Sequence, residues 1–196
     1  MMGSLNRLTL LVFLVAPIYG CGSIIASSGA GPIDENPGSR TLAQRITDES
    51  IETKAKINIS AAYEGLDSSH VSCISYNSAL LLVGQVPSEA MKALATEIVQ
   101  RIDGVLRIYN ELEIGPETTV RRRAEDTWIS TKTKTNLLAN SDTPGRRVKV
   151  VTENGVVYLM GLVSEEEAAR IALIASEVSG TKRVVKLFEL IHSPTT

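Results

Sequence analysis

The sequence predicts an α+β fold: two tandem copies of one small α-β-β-α-β domain, behind an apolar leader and a polar tether. Two observations carry this reading. The stretch Asn77-Ser78-Ala79-Leu80-Leu81-Leu82-Val83-Gly84-Gln85-Val86 lies over Asn154 to Val163 at an offset of 77 residues, and matched residues continue on both sides of it. Within each copy the hydrophobic spacing also switches between helical and strand periods in the same order.

The leader spans residues 1–20, with Arg7 as a positive start, an apolar run from Leu8 to Val15, and Ile18-Tyr19-Gly20 ahead of Cys21. At about ten residues the run is half the ~20 that a spanning helix needs, so cleavage is expected. Ile18 and Gly20 suit the aliphatic and small positions before a lipidated cysteine, while Tyr19 is bulkier than the residue usual there. The leader resembles a bacterial lipoprotein signal, which implies acylation of Cys21 and a two-chain anchor. The other reading is an ordinary signal peptide with a chance cysteine. Gly22 stands where an Asp commonly holds lipoproteins at the inner membrane, which favours the outer membrane. Residues 21–40 are dominated by Gly, Ser, Ala and Pro without period, the composition of a flexible tether.

Domain 1 covers residues 41–115 and domain 2 residues 119–196. Each opens with a helix, marked by Ile51, Ala55 and Ile59 in one copy and Ile129, Thr133 and Leu137 in the other. Strands over Val71 to Tyr76 and Val148 to Glu153 lead into turns at Asn77-Ser78 and Asn154-Gly155, where both central residues need positive φ. The returning strands run to Val86 and Val163. Pro87 suits the start of the next helix in domain 1, and Ser164 with Glu167 forms a capping box in domain 2. The helical stripes are Leu94, Ile98 and Ile102, and Ile171, Ala175 and Val178, with Gly104 and Gly180 as terminators. Val105 to Ile114 and Lys182 to Ile191 are the last strands. Gly84 and Gly161 read as tight strand exits, and Glu165-Glu166-Glu167 as complements to the positive end of a helix. At about seventy-five residues each copy is small for a single core, so docking of the two copies is expected.

The repeated strand-glycine-helix-glycine-strand pattern, with Gly84 and Gly161, then Gly104 and Gly180, resembles the BON domain. A pair of such domains behind a lipidated cysteine, with Asp126-Thr127-Trp128-Ile129-Ser130-Thr131-Lys132 opening the second, is similar to the dual-BON outer-membrane lipoproteins. The resemblance implies a non-enzymatic protein of the outer membrane, facing the periplasm. It implies binding of anionic phospholipids such as phosphatidylglycerol through the first helix of domain 2, enrichment at division sites and support of envelope integrity.

The residues of that helix, within Arg121 to Leu138, can be weighed directly. With Ile129, Thr133 and Leu137 facing the core, Trp128 stands about 100° away, beside the stripe. Seven- and four-residue spacing aligns it with Arg121, Lys132 and Thr135, and an indole among cations suits a headgroup layer. Arg121, Arg122, Arg123, Lys132 and Lys134 stand against Glu125 and Asp126, on a chain whose net charge is −2. In domain 1 the position of Trp128 holds Ser50 and the arginines have no basic counterpart. The competing reading packs Trp128 between the domains and leaves the arginines as a solvated linker.

Nothing in the pattern calls for catalysis, a metal, another cofactor or nucleic acid. His70 and His192 lack ligands at metal-site spacing and read as exposed, and Cys73 reads as a buried free thiol. Ser, Thr and Glu form no recognisable nucleophile-base set, and no glycine-rich phosphate loop precedes a helix. A second functional class stays open beside lipid binding: a tethered adaptor or chaperone-like module that holds envelope proteins through sheet edges or domain 1.

Overall fold

The computed structural model describes residues 38–62 and 70–191. The leader, Cys21, most of the tether and His192 lie outside the described residues.

Domain 1 consists of α1 (Leu42–Ala62), β1 (Val71–Tyr76), β2 (Ala79–Val86), α2 (Glu89–Gln100) and β3 (Arg107–Ile114). Domain 2 repeats the order with α3 (Val120–Ala139), a 3-10 turn (Gly145–Arg147), β4 (Lys149–Glu153), β5 (Val156–Val163), α4 (Glu165–Ser176) and β6 (Arg183–Leu190). In each sheet the middle strand pairs antiparallel with the strand before it and parallel with the strand after the crossover helix, in orders β1-β2-β3 and β4-β5-β6.

Local chemistry sets the boundaries. The Asn77-Ser78 and Asn154-Gly155 turns have φ of 51° and 64°, and of 49° and 79°. These are the left-handed values that a two-residue hairpin requires. Thr41, Ser88, Thr119 and Ser164 cap the four helices by accepting backbone N–H bonds, and Ser164 with Glu167 completes the capping box. Pro87 does not open α2; it precedes the Ser88 cap, whose hydroxyl satisfies a free amide that proline cannot.

Each sheet is covered by its own helices on one face and by the other sheet on the opposite face. Leu80, Leu82 and Val86 of β2 meet Ile51, Ala55, Ile59, Ala95 and Val99 in the first core. Val157, Leu159 and Val163 of β5 meet Ile129, Leu137, Ile171 and Ala175 in the second. The alternate residues Ala79, Leu81 and Val83 pack on Val156, Tyr158, Met160 and Leu162 in a third core between the domains. Every residue of β2 and β5 is therefore buried, which is why β5 is an unbroken apolar run and β2 is broken only by Gln85, which donates to Glu153 and accepts from the Thr118 amide. All the described residues fall within one compact unit. At about 1.5–3 kcal/mol per buried large aliphatic side chain, the shared core gives each small domain the burial it lacks alone.

Three local expectations change. The buried centre of α2 is Ala95 and Val99, with Leu94 and Ile98 on its flank, because the helix packs on both α1 and the sheet and needs a small residue there. Gly84 and Gly161 sit inside β2 and β5, not at their exits: Gly84 lets the His70 carbonyl cross it, and a Cβ would lie 1.7 Å from that oxygen. The helices end at Gln100 and Ser176, and Gly104 and Gly180 shape the following turns with φ of 93° and 90°.

Candidate functional site

The N-terminal half of α3 is fixed by a buried carboxylate. Asp126, 3% exposed, lies one turn before Ile129 on the core stripe and reaches the hairpin turn. It accepts N–H bonds from Asn154 at 2.9 Å and Gly155 at 2.8 Å, and Arg122 closes on it at 2.9 Å. Asp48 does the same in domain 1, taking the Asn77 and Ser78 amides with Arg40 as its cation. The aspartates matched in the repeat are thus the clasps that join each opening helix to its hairpin.

That clasp sorts the basic residues. Arg122 is half-buried against Asp126 and Glu125, so it is not part of the solvent face. Arg123 points toward Glu117 at 3.6 Å on the side of the domain junction. Arg121 is exposed and pairs with Glu125 at 3.0 Å, and Lys132 is exposed without an ion pair among the described residues. Lys134, counted in sequence with the surface cations, turns inward and donates to the carbonyls of Gly145 and Val148. Burial lowers its pKa.

Trp128 is 53% exposed on the outward side of α3 and does not pack between the domains. Other exposed residues along that side are Ala124, Thr127, Thr131, Thr135 and Leu138, with Arg121, Glu125 and Lys132 as the charges beside the indole. The threonine hydroxyls donate to the carbonyl four residues earlier: Thr127 to Arg123, Thr131 to Thr127 and Thr135 to Thr131. Their hydrogen bonds are satisfied within the helix, and their methyl groups add to an apolar, neutral surface. A cavity of about 450 Å³ opens beside the indole between α3 and the Ser179-Gly180 turn. Of the residues singled out in sequence, the fold brings together Arg121, Trp128, Lys132 and Thr135, keeps Arg122 in the wall of the cavity beside the indole while it is paired with Asp126, and turns Arg123 away.

The other reactive side chains are placed apart from this face. His70 is half-buried with Nε2 3.7 Å from Glu153, not exposed, because β1 starts at the domain junction. Cys73 is free and partly buried; burial first, then Glu52, pushes its thiol up to about 12 despite Lys56. No group of three His, Cys, Asp or Glu suited to a metal occurs among the described residues, and none of their helices is long and apolar enough to cross a membrane.

The same repeat is found by comparison with known families: the BON domain matches residues 47–116 and again residues 125–191. The chain belongs to the BON-domain family. This BON protein is 32% identical over 187 residues to "Outer membrane lipoprotein DolP" of Haemophilus influenzae, covering 95% of this chain and 97% of that one. It is 33% identical over 153 residues to the "21 kDa hemolysin" of Actinobacillus pleuropneumoniae, covering 78% and 79%. It is also 29% identical over 185 residues to "Osmotically-inducible protein Y" of Escherichia coli, covering 90% and 92%. The two BON domains meet through their sheets, which leaves the outward side of α3 open to solvent.

Proposed function

We propose that this BON protein is a non-enzymatic lipoprotein, acylated at Cys21 and anchored in the outer membrane facing the periplasm, whose α3 binds anionic phospholipid such as phosphatidylglycerol. In this role it supports envelope integrity, with enrichment at division sites. The observation that carries the reading is the outward side of α3, where a half-exposed indole and satisfied threonines stand between Arg121 and Lys132, with Glu125 as the partner of Arg121. Similarity over nearly the whole chain to an outer-membrane lipoprotein supports the location.

Physically, Trp128 enters the headgroup boundary while Arg121 and Lys132 meet phosphate. Each basic side chain contributes about 1 kcal/mol at an anionic surface, so two cations and one indole bind weakly alone. The acyl anchor makes up the difference by confining the domain to the leaflet, which raises the local concentration of headgroups.

The test is sedimentation of the unacylated chain Ser23 to Thr196, which keeps all three cores, with vesicles of zwitterionic lipid and with added phosphatidylglycerol. Binding is expected to rise with phosphatidylglycerol, fall with salt and drop several-fold in Trp128→Ala. Binding indifferent to lipid charge or to Trp128 would refute the reading and leave a tethered protein-binding adaptor, recognised by a co-purifying partner.

A further inference from the structure

A second cavity, of about 330 Å³, opens where the two domains meet, and five cations line it: Arg40, Lys134, Arg146, Arg147 and Lys149. Tyr76 forms an aromatic wall, its ring under the Arg40 guanidinium at 3.7 Å and its hydroxyl donating to the Arg147 carbonyl. Among the described residues no carboxylate lines the cavity. Asp48, Glu52 and Glu167 pair with Arg40, Lys149 and Arg147 from outside it. Lys134 meets only backbone carbonyls, and Arg146 makes no ion pair among the described residues, so the site carries an excess of two positive charges.

The repeat supplies an internal control. A cleft on the other side of the junction that corresponds in part places His70, Ser72 and Glu153 at the positions of Arg147, Lys149 and Tyr76, at the same offset of 77, while Lys56, the counterpart of Lys134, lines a neighbouring cleft with Glu52. The first of these clefts includes two carboxylates, Asp126 and Glu153, and does not favour an anion. The repeat thus places no arginine or lysine where Arg146, Arg147 and Lys149 stand; the charge is a property of these side chains and not a requirement of the junction.

We propose that this basic junction cavity binds a phosphate-bearing anion. Arginine forks match phosphate oxygens in pairs and lysine adds a point charge, the donor set that phosphate recognition uses. The volume sits at the small end of ligand sites, enough for a phosphate or diphosphate group with a modest substituent. The site is separate from the Trp128 face: Lys134 and Trp128 lie about 120° apart around α3. It can take a free phosphate compound or the headgroup of a lipid.

Calorimetric titration of the full chain in non-ionic detergent at low salt, with pyrophosphate as the probe, tests the site. One saturable site is expected, weakened about tenfold by Arg146→Gln and also by Lys149→Gln, and unchanged by Trp128→Ala or by Arg123→Gln at the cleft on the other side of the junction. Arg146 is exposed, so its replacement leaves the fold intact. A lipid headgroup as the natural ligand is indicated if Arg146→Gln also weakens sedimentation with phosphatidylglycerol vesicles, and a soluble phosphate compound if it does not. Absence of saturable binding, indifference to both Arg146→Gln and Lys149→Gln, or an equal loss in Arg123→Gln overturns the proposal. None of these outcomes depends on the Trp128 reading.

Discussion

Asp48 and Asp126 show how much one side chain can decide. Each sits on the buried stripe of its helix, and each is tolerated there because two turn amides and an arginine satisfy it. Burial by itself would raise the Asp48 carboxyl; the Ser78 amide, Arg40, the Asn77 amide and the Ser75 hydroxyl outweigh it and hold the pKa below the ordinary 3.8. A carboxylate whose folded pKa is depressed stabilises the fold above its unfolded pKa, and that stability is lost as pH falls through the folded value. Urea midpoints of the wild type are therefore expected to fall as pH drops below about 4, and Asp48→Asn is expected to lower stability by about 1–3 kcal/mol at neutral pH and flatten that acid limb. An unchanged acid limb in the variant would contradict the clasp. Neither clasp was legible in sequence: Asp126 and the turn it holds are 28 residues apart, and a buried aspartate on a core stripe has no periodic signature.

At the scale of elements, the repeated glycines are equivalent in alignment but not in demand. Gly84 has φ of 123° and no room for a Cβ, whereas at Gly161 the φ is ordinary and a Cβ would stand 3.3 Å from the Arg147 carbonyl. Gly84→Ala is expected to cost about 3 kcal/mol or more and Gly161→Ala about 1, read as urea midpoints at constant slope. Equal costs would mean that both strands relax alike. The order of elements was readable because hairpin turns, caps and apolar periods are local signals: Asn154-Gly155 announces its turn, and Ser164 with Glu167 its helix. What local signals cannot specify is the face an element turns to a distant one. Periodicity centred α2 on Leu94 and Ile98, yet packing against α1 selects Ala95 and Val99. Likewise Lys134 counts as a surface cation in any sequence tally, until the carbonyls of Gly145 and Val148 are found beneath it.

At the scale of the molecule, the two domains pack sheet to sheet with reciprocal polar ties at the rim. Asn77 donates to Glu189 at 3.0 Å and Asn154 donates to Glu113 at 3.1 Å, matched residues of the repeat exchanging partners as in a two-fold dimer. The sheets bury each other, so the outer helical faces are what remains for a partner, and divergence between copies is where function enters. Ser50 and Trp128 occupy one fold position, as do Ser72 and Lys149. The basic cavity and the neutral face of α3 both arise in this way, without change of architecture. Because Trp128 is the chain's single tryptophan, its emission reports on the proposed membrane face alone. The most direct test of the central claim is fluorescence of the wild-type chain titrated with phosphatidylglycerol vesicles, with and without lipids brominated near the headgroup. Entry of the indole into the interface predicts a blue shift with phosphatidylglycerol and quenching by the brominated lipid; unshifted, unquenched emission from vesicle-bound protein would contradict it.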